Sequence, residues 1–166
     1  MKIIKIGNKE YTFEFTFAAA EHKQLVQSMF NVMSGAYIMK NGEFDDKGEA
    51  ATAMFNGASE MVADVPHIAK IGFYAGLLEH NPMTEEESNA LMKQYMIEYK
   101  KSYRGVFEEL KSIMETDGFF DLSGLTEIIE EMNKPLEEME QMKDTVKKPQ
   151  DHKKKSTSTK SSKTTE

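Results

Sequence analysis

Apolar and polar residues alternate over the first seventeen positions. Ile4 and Ile6 lead into Gly7-Asn8-Lys9, and Tyr11, Phe13, Phe15 and Phe17 follow at period two. Alternating β-branched and aromatic side chains about a Gly-Asn pair predict a β-hairpin within residues 1–17. A lone hairpin is marginal in water. Its Tyr11/Phe13/Phe15 face is therefore expected to pack on helices, or its open edge to pair with a strand of another chain.

Beyond Phe17 the period lengthens to that of a helix. Thr16 is a candidate N-cap, and Leu25, Val26, Met29, Phe30, Met33, Tyr37 and Ile38 recur at helical spacing up to Asn41-Gly42. Glu43–Glu49 reads as an acidic loop. A second helix is predicted over 50–63, with Met54, Phe55, Ala58, Met61 and Val62 on one side. Asp64-Val65-Pro66 is expected to break it, with Asp64 capping and Pro66 opening a third helix through Ile68, Ile71, Phe73, Tyr74, Leu77 and Leu78. Gly35, Gly72 and Gly76 fall inside these patterns and read as points of close helix approach. Asn81-Pro82 ends the third helix.

Thr84-Glu85-Glu86-Glu87 has the form of a capping box, and its carboxylates suit the N-terminal end of the helix dipole. The fourth helix carries Leu91, Met92, Tyr95, Met96 and Tyr99. A fifth carries Val106, Phe107, Leu110, Ile113 and Met114, either continuous with the fourth across 100–105 or separate from it, and Asp117-Gly118 closes it. Phe119-Phe120 is an apolar pair in a connection. Leu122, Leu125, Ile129, Met132, Leu136 and Met139 then follow at spacings of three and four, a heptad seam that Pro135 should kink or restart near Asn133. The pattern as a whole predicts a mainly α fold: an N-terminal β-hairpin, a bundle of five or six helices and a disordered tail.

Charge divides the chain. Residues 1–146 carry 26 acidic and 14 basic residues, a balance of −12, whereas residues 147–166 carry 7 basic and 2 acidic ones, a balance of +5. The tail is almost wholly Lys, Ser and Thr and has nothing apolar to bury, so ordering it has no compensating gain. The domain reading is an acidic helical body, 1–146, and a disordered basic tail, 147–166. An acidic body disfavours nucleic acid, whose binding depends on cation contacts. No window approaches the roughly 18 apolar residues of a membrane span, and Met1–Ile6 is too short an apolar run for a signal peptide. The chain has no cysteine, hence no disulfide framework or thiolate site. The best metal-like grouping is Glu60, Asp64 and His67, which the expected break at Pro66 divides. No nucleophile elbow or phosphate-binding loop is present, and no cofactor is expected. Thirteen methionines without a tryptophan suit an irregular core or a surface that adapts to a helical partner. Phe119, Phe120, Leu122, Leu125, Ile129 and Met132 are the candidate partner-binding residues, with burial in the core as the competing reading.

Five segments carry a family resemblance: Lys2–Phe15, Phe30-Asn31-Val32-Met33-Ser34-Gly35-Ala36-Tyr37, Glu60-Met61-Val62-Ala63-Asp64-Val65-Pro66-His67, Phe73-Tyr74-Ala75-Gly76-Leu77-Leu78-Glu79-His80-Asn81-Pro82, and Asp117-Gly118-Phe119-Phe120-Asp121-Leu122-Ser123-Gly124-Leu125. In series, over residues 1–135, they resemble the tail assembly chaperones of long-tailed, siphovirus-type bacteriophages of Gram-positive hosts. The resemblance implies a non-enzymatic protein of the host bacterial cytoplasm that binds the tape measure protein and is absent from the mature virion. It also implies a longer form, made by ribosomal frameshifting, that recruits the major tail tube protein. The alternative is a structural helical phage protein, a connector or tail component retained in the virion. Self-association is expected from the hairpin edge and the heptad seam.

Because the tail offers nothing to pack, deleting residues 147–166 is expected to leave the thermal midpoint nearly unchanged. A drop of several degrees on deletion, read by circular dichroism, would show that the tail is part of the folded body.

Overall fold

Two aromatic residues from the hairpin and one long helix organise this protein. The structure is a computed structural model and describes residues 1–39 and 47–134. The fold is mainly helical behind an N-terminal two-stranded antiparallel hairpin. Residues 1–132 pack as one unit.

Strands β1 (Lys2–Ile6) and β2 (Lys9–Phe13) pair with Ile4 opposite Tyr11 and Ile6 opposite Lys9. Gly7 takes φ +60° and Asn8 stays outside the left-handed region, as a type II′ turn requires. Ile4, Ile6, Phe13 and Phe15 are buried. The outer edges are engaged. Thr12 N–H donates to Asn81 Oδ1 (2.8 Å), Glu14 N–H to the Gly76 carbonyl (2.9 Å), and the Tyr99 hydroxyl to the Lys5 carbonyl (2.7 Å). The hairpin therefore packs on the helices, and these groups are occupied within the chain rather than presented to another strand.

Where one helix is expected from Phe17, the chain forms three: α1 (Phe17–Ala20), α2 (Lys23–Met33) and α3 (Ala36–Met39). Thr16 precedes α1 without a side-chain cap bond. His22 caps α2 instead, its Nδ1 accepting from Leu25 N–H at 3.4 Å. Gly35 sits between α2 and α3 at φ +69° with nothing near its Cα substituent position, so it turns the chain rather than admitting a neighbour. The Asn41-Gly42 stop and most of the acidic loop lie outside the described residues.

Helix α4 (Lys47–Leu77) is continuous through Pro66, where the sequence pattern implies two helices and a break. It begins at Lys47, inside the stretch read as loop. Proline removes one hydrogen bond and costs about 3 kcal/mol in a helix interior. Val65, Ile68 and Ala69 are all buried within a turn of it, and that packing offsets the loss. Val62, whose carbonyl lacks its usual donor, is exposed, so water is at hand. Asp64 does not cap a new helix; it accepts from the Tyr37 hydroxyl at 3.0 Å, fastening α3 to α4. Burial and this bond push the Tyr37 hydroxyl up to about 12.

Helix α5 (Glu85–Glu98) opens on the predicted capping box. Thr84 Oγ1 accepts from Glu87 N–H at 3.2 Å. The Glu87 carboxylate accepts from Thr84 N–H at 2.8 Å and from the Thr84 hydroxyl at 3.0 Å, and these two bonds hold its carboxyl below the ordinary range. Helix α6 (Tyr103–Asp117) is separate from α5: Lys100 turns at φ +52°, and Ser102 caps the new helix through Gly105 N–H. Gly118 ends α6 in the left-handed conformation, as predicted. Phe119–Leu122 form a short helix, α7, rather than an irregular connection. Gly124 (φ +73°) then separates it from the helical residues 125–134, so the heptad seam is broken between Leu122 and Leu125. Pro135, Leu136, Met139 and the 147–166 tail lie outside the described residues, as does the predicted boundary at 146.

The core forms where the hairpin meets the end of α4. Phe13 stands edge-on to Phe73 at 4.8 Å between ring centroids, and Phe15 edge-on to Phe119 at 6.1 Å. A Cβ placed on Gly76 would lie 2.7 Å from Phe15 Cζ and 3.1 Å from Phe13 Cδ1, whereas one on Gly72 would meet Leu110 Cδ1 at an ordinary 3.4 Å. Gly76→Ala is therefore expected to destabilise by about 1–3 kcal/mol through overpacking. Gly72→Ala should be neutral or stabilise by up to about 1 kcal/mol, the helix-propensity gain. Urea midpoints of the two variants check this; equal midpoints would contradict the close packing at Gly76.

Candidate partner-binding surface

The first half of α4 turns an apolar face outward. Ala53 and Gly57 point inward, while Met54, Phe55 and Val62 are 58%, 76% and 67% exposed. Ala51 before them and Ala58 between Phe55 and Val62 are exposed as well. The sequence groups Met54, Phe55, Ala58, Met61 and Val62 on one side, and they do share a side; it is the outer one, with Met61 half-buried at its border. The small inward residues Ala53 and Gly57 take the covered positions. Isolated exposed apolar residues are ordinary. A run along three helical turns makes this face a candidate contact surface.

Of the predicted binding residues, Phe119 and Leu125 are buried, at 0% and 2% exposure, so for these two the core reading is the one that holds. Phe119 is wedged between Phe15 and Phe120. Phe120 and Ile129 are half-buried. Leu122 and Met132 are exposed, as is Ile128 beside them, which leaves a smaller apolar strip around 122–132. The expected site is thus split by the backbone into a packed part and an exposed part.

Titratable groups gather elsewhere. Glu109 on α6 accepts from Lys2 of β1 (2.5 Å), the Tyr95 hydroxyl of α5 (2.5 Å) and Lys101. Burial alone would raise its carboxyl; the hydrogen bonds from Lys101, Lys2 and Tyr95 outweigh burial and lower it to about 2. Burial and the Glu109 carboxylate push the Tyr95 hydroxyl up in turn. The cluster satisfies its own donors and works as a staple joining hairpin, α5 and α6. A polar cleft of about 110 Å³ lies between His22, His67, Lys70, Tyr74, Glu85 and Asn89. His22 is committed there to capping α2. Pro66 leaves the helical spacing of Glu60, Asp64 and His67 intact. Even so, among the described residues no three His, Cys, Asp or Glu side chains are placed to hold a metal, and no helix is long and apolar enough to cross a membrane.

No protein-family model matches this chain, and no curated protein or solved structure matches it.

The lowered Glu109 carboxyl makes stability depend on acid. Folding favours the carboxylate, so the contribution is complete above the ordinary value of 4.5 and is lost as pH falls toward about 2. Glu109→Gln is expected to destabilise the parent by about 1–3 kcal/mol at pH 7 and to flatten the fall in stability between those pH values. Urea titrations across that range test it. An unchanged acid profile in the variant would show that Glu109 is not the titrating group.

Proposed function

We propose that this protein is a bacteriophage tail assembly chaperone that binds the tape measure protein in the host cytoplasm. In this reading it helps recruit tail tube subunits and leaves before the virion is complete. The observation that carries the proposal is the outward apolar face of α4, Met54, Phe55 and Val62, on an acidic helical body. A tape measure protein presents extended amphipathic helices, and such helices bind by laying an apolar face on an apolar surface. The acidic exterior keeps a complex with an aggregation-prone partner in solution. The series of segments that resembles those of the chaperones supports this reading of the family. A longer, frameshifted form would use the Lys/Ser/Thr tail as its linker, since about 20 flexible residues span roughly 25 Å.

Co-expression with a candidate tape measure protein from the same genome tests the reading. The two proteins are expected to co-purify, the partner to stay soluble only in the pair, and mass spectrometry of purified virions to lack this chain. Its presence in virions at a fixed copy number would favour a structural connector or tail component instead.

A further inference from the structure

A polar trough runs between α2 and α4. On α4 it follows Asp64, His67, Ile71 and Tyr74, at spacings of three and four and over about 15 Å of helix. Gln24, Gln27 and Asn31 line it from α2. The bond from the Tyr37 hydroxyl to Asp64 closes one end, and Glu85 and Asn89 of α5 bound the other. The trough consists of two cavities, of about 110 and 260 Å³, which share Gln24 and His67. The smaller is the polar cleft described above. Its Lys70 is half-buried and forms no ion pair or side-chain hydrogen bond among the described residues. His22 accepts from Leu25 N–H through Nδ1, so its proton sits on Nε2, and the ring stands edge-on to Tyr74 at 5.7 Å. The exposed Glu85 is the one carboxylate lining this cavity. Gln24, Gln27, Asn31 and Asn89 likewise make no side-chain hydrogen bond among the described residues.

We propose that the smaller cavity binds an oxyanion, a phosphate or carboxylate group, and that the larger one receives the uncharged polar part of the molecule carrying it. A half-buried ammonium gains from a counter-charge, and charge-assisted bonds to an oxyanion are the strong kind. Lys70 supplies the charge. His22 Nε2–H, the His67 imidazole and the Asn89 amide line the same cavity and add donors. At roughly 30 Å³ for each water, the cavity has room for about three or four waters, the scale of one such group. The carboxamides of Gln24, Gln27 and Asn31 each offer a donor and an acceptor, which suits hydroxyls or peptide groups rather than a second charge. Glu85 opposes an anion at the mouth and thereby makes the sign of the ligand testable. A cation would be drawn by Glu85 and repelled by Lys70.

The proposal does not rest on the chaperone reading. The test titrates the full chain, followed by amide NMR at constant ionic strength, with inorganic phosphate, a hexose phosphate, and triglycine with a free or an amidated C-terminus. Saturable shifts are expected over residues 67–74 and 85–89 with the phosphates, with free triglycine or with both, and none with the amide. Binding of the phosphates alone makes the ligand a phosphate ester; binding of free triglycine alone makes it a chain end. Lys70→Met keeps the apolar stem and removes the charge. It should weaken binding at least about tenfold, the scale of a lost charge-assisted bond, with the thermal midpoint kept. His67→Ala, at an exposed position, is a second variant that should weaken binding without touching the core. Glu85→Gln should tighten binding severalfold. Gln27→Ala/Asn31→Ala should weaken the hexose phosphate or triglycine and leave inorganic phosphate unchanged; equal affinity for the extended probes in parent and double variant overturns the role of the larger cavity. The oxyanion site is overturned by the absence of saturable shifts with every probe, by equal binding of amidated triglycine, by unchanged affinity in Lys70→Met and His67→Ala, or by weaker binding in Glu85→Gln.

Discussion

The fold depends on the close approach of Phe13 and Phe15 to Gly76. A two-stranded sheet does not hold itself together in water, and this one is fixed by driving two aromatic rings against the last turns of α4. Only a residue without a side chain leaves room there. The same contact closes the backbone: Glu14 N–H bonds the Gly76 carbonyl, one of the end-of-helix acceptors that would otherwise lack a donor. From this junction Phe73, Phe119 and Tyr95 extend the aromatic core into α5 and α7.

Everything else about α4 follows from where that core stops. The hairpin and α6 cover its second half, and the Glu109 staple holds β1, α5 and α6 together at one side of the core. Pro66 sits near the transition. Beyond it the same face carries Phe55, Met54 and Val62 into solvent. The helix is thus packed into the core at one end and carries exposed apolar side chains on its outer face at the other.

Features set by a few neighbouring residues were legible in the sequence. The Gly7-Asn8 turn, the Thr84–Glu87 box and the Gly118 cap are local chemistry, and each is present. The hairpin's packing was legible because an isolated one is unstable. What failed depended on distant contacts. Periodicity showed that Met54, Phe55, Ala58, Met61 and Val62 share a side of a helix, but not that the small residues Ala53 and Gly57 take the covered side. Pro66 reads as a break because the pattern does not contain the packing of Val65, Ile68 and Ala69 that sustains the helix. Gly35 reads like Gly76, yet one turns the chain and the other admits two rings. Of the binding residues, Leu122 and Met132 are exposed as a contact surface needs. Phe119 and Leu125 are drawn inward by Gly118 and Gly124, whose positive φ fold that segment back on the body.

The central claim is that α4 is core at one end and contact surface at the other. Hydrogen exchange of the full chain, alone and with its co-purified partner, tests it most directly. The account predicts slow exchange over residues 68–77 in both states, and faster exchange over 49–64 that slows when the partner binds. Protection that appears only in the hairpin or over 122–132, with 49–64 unchanged, would contradict it.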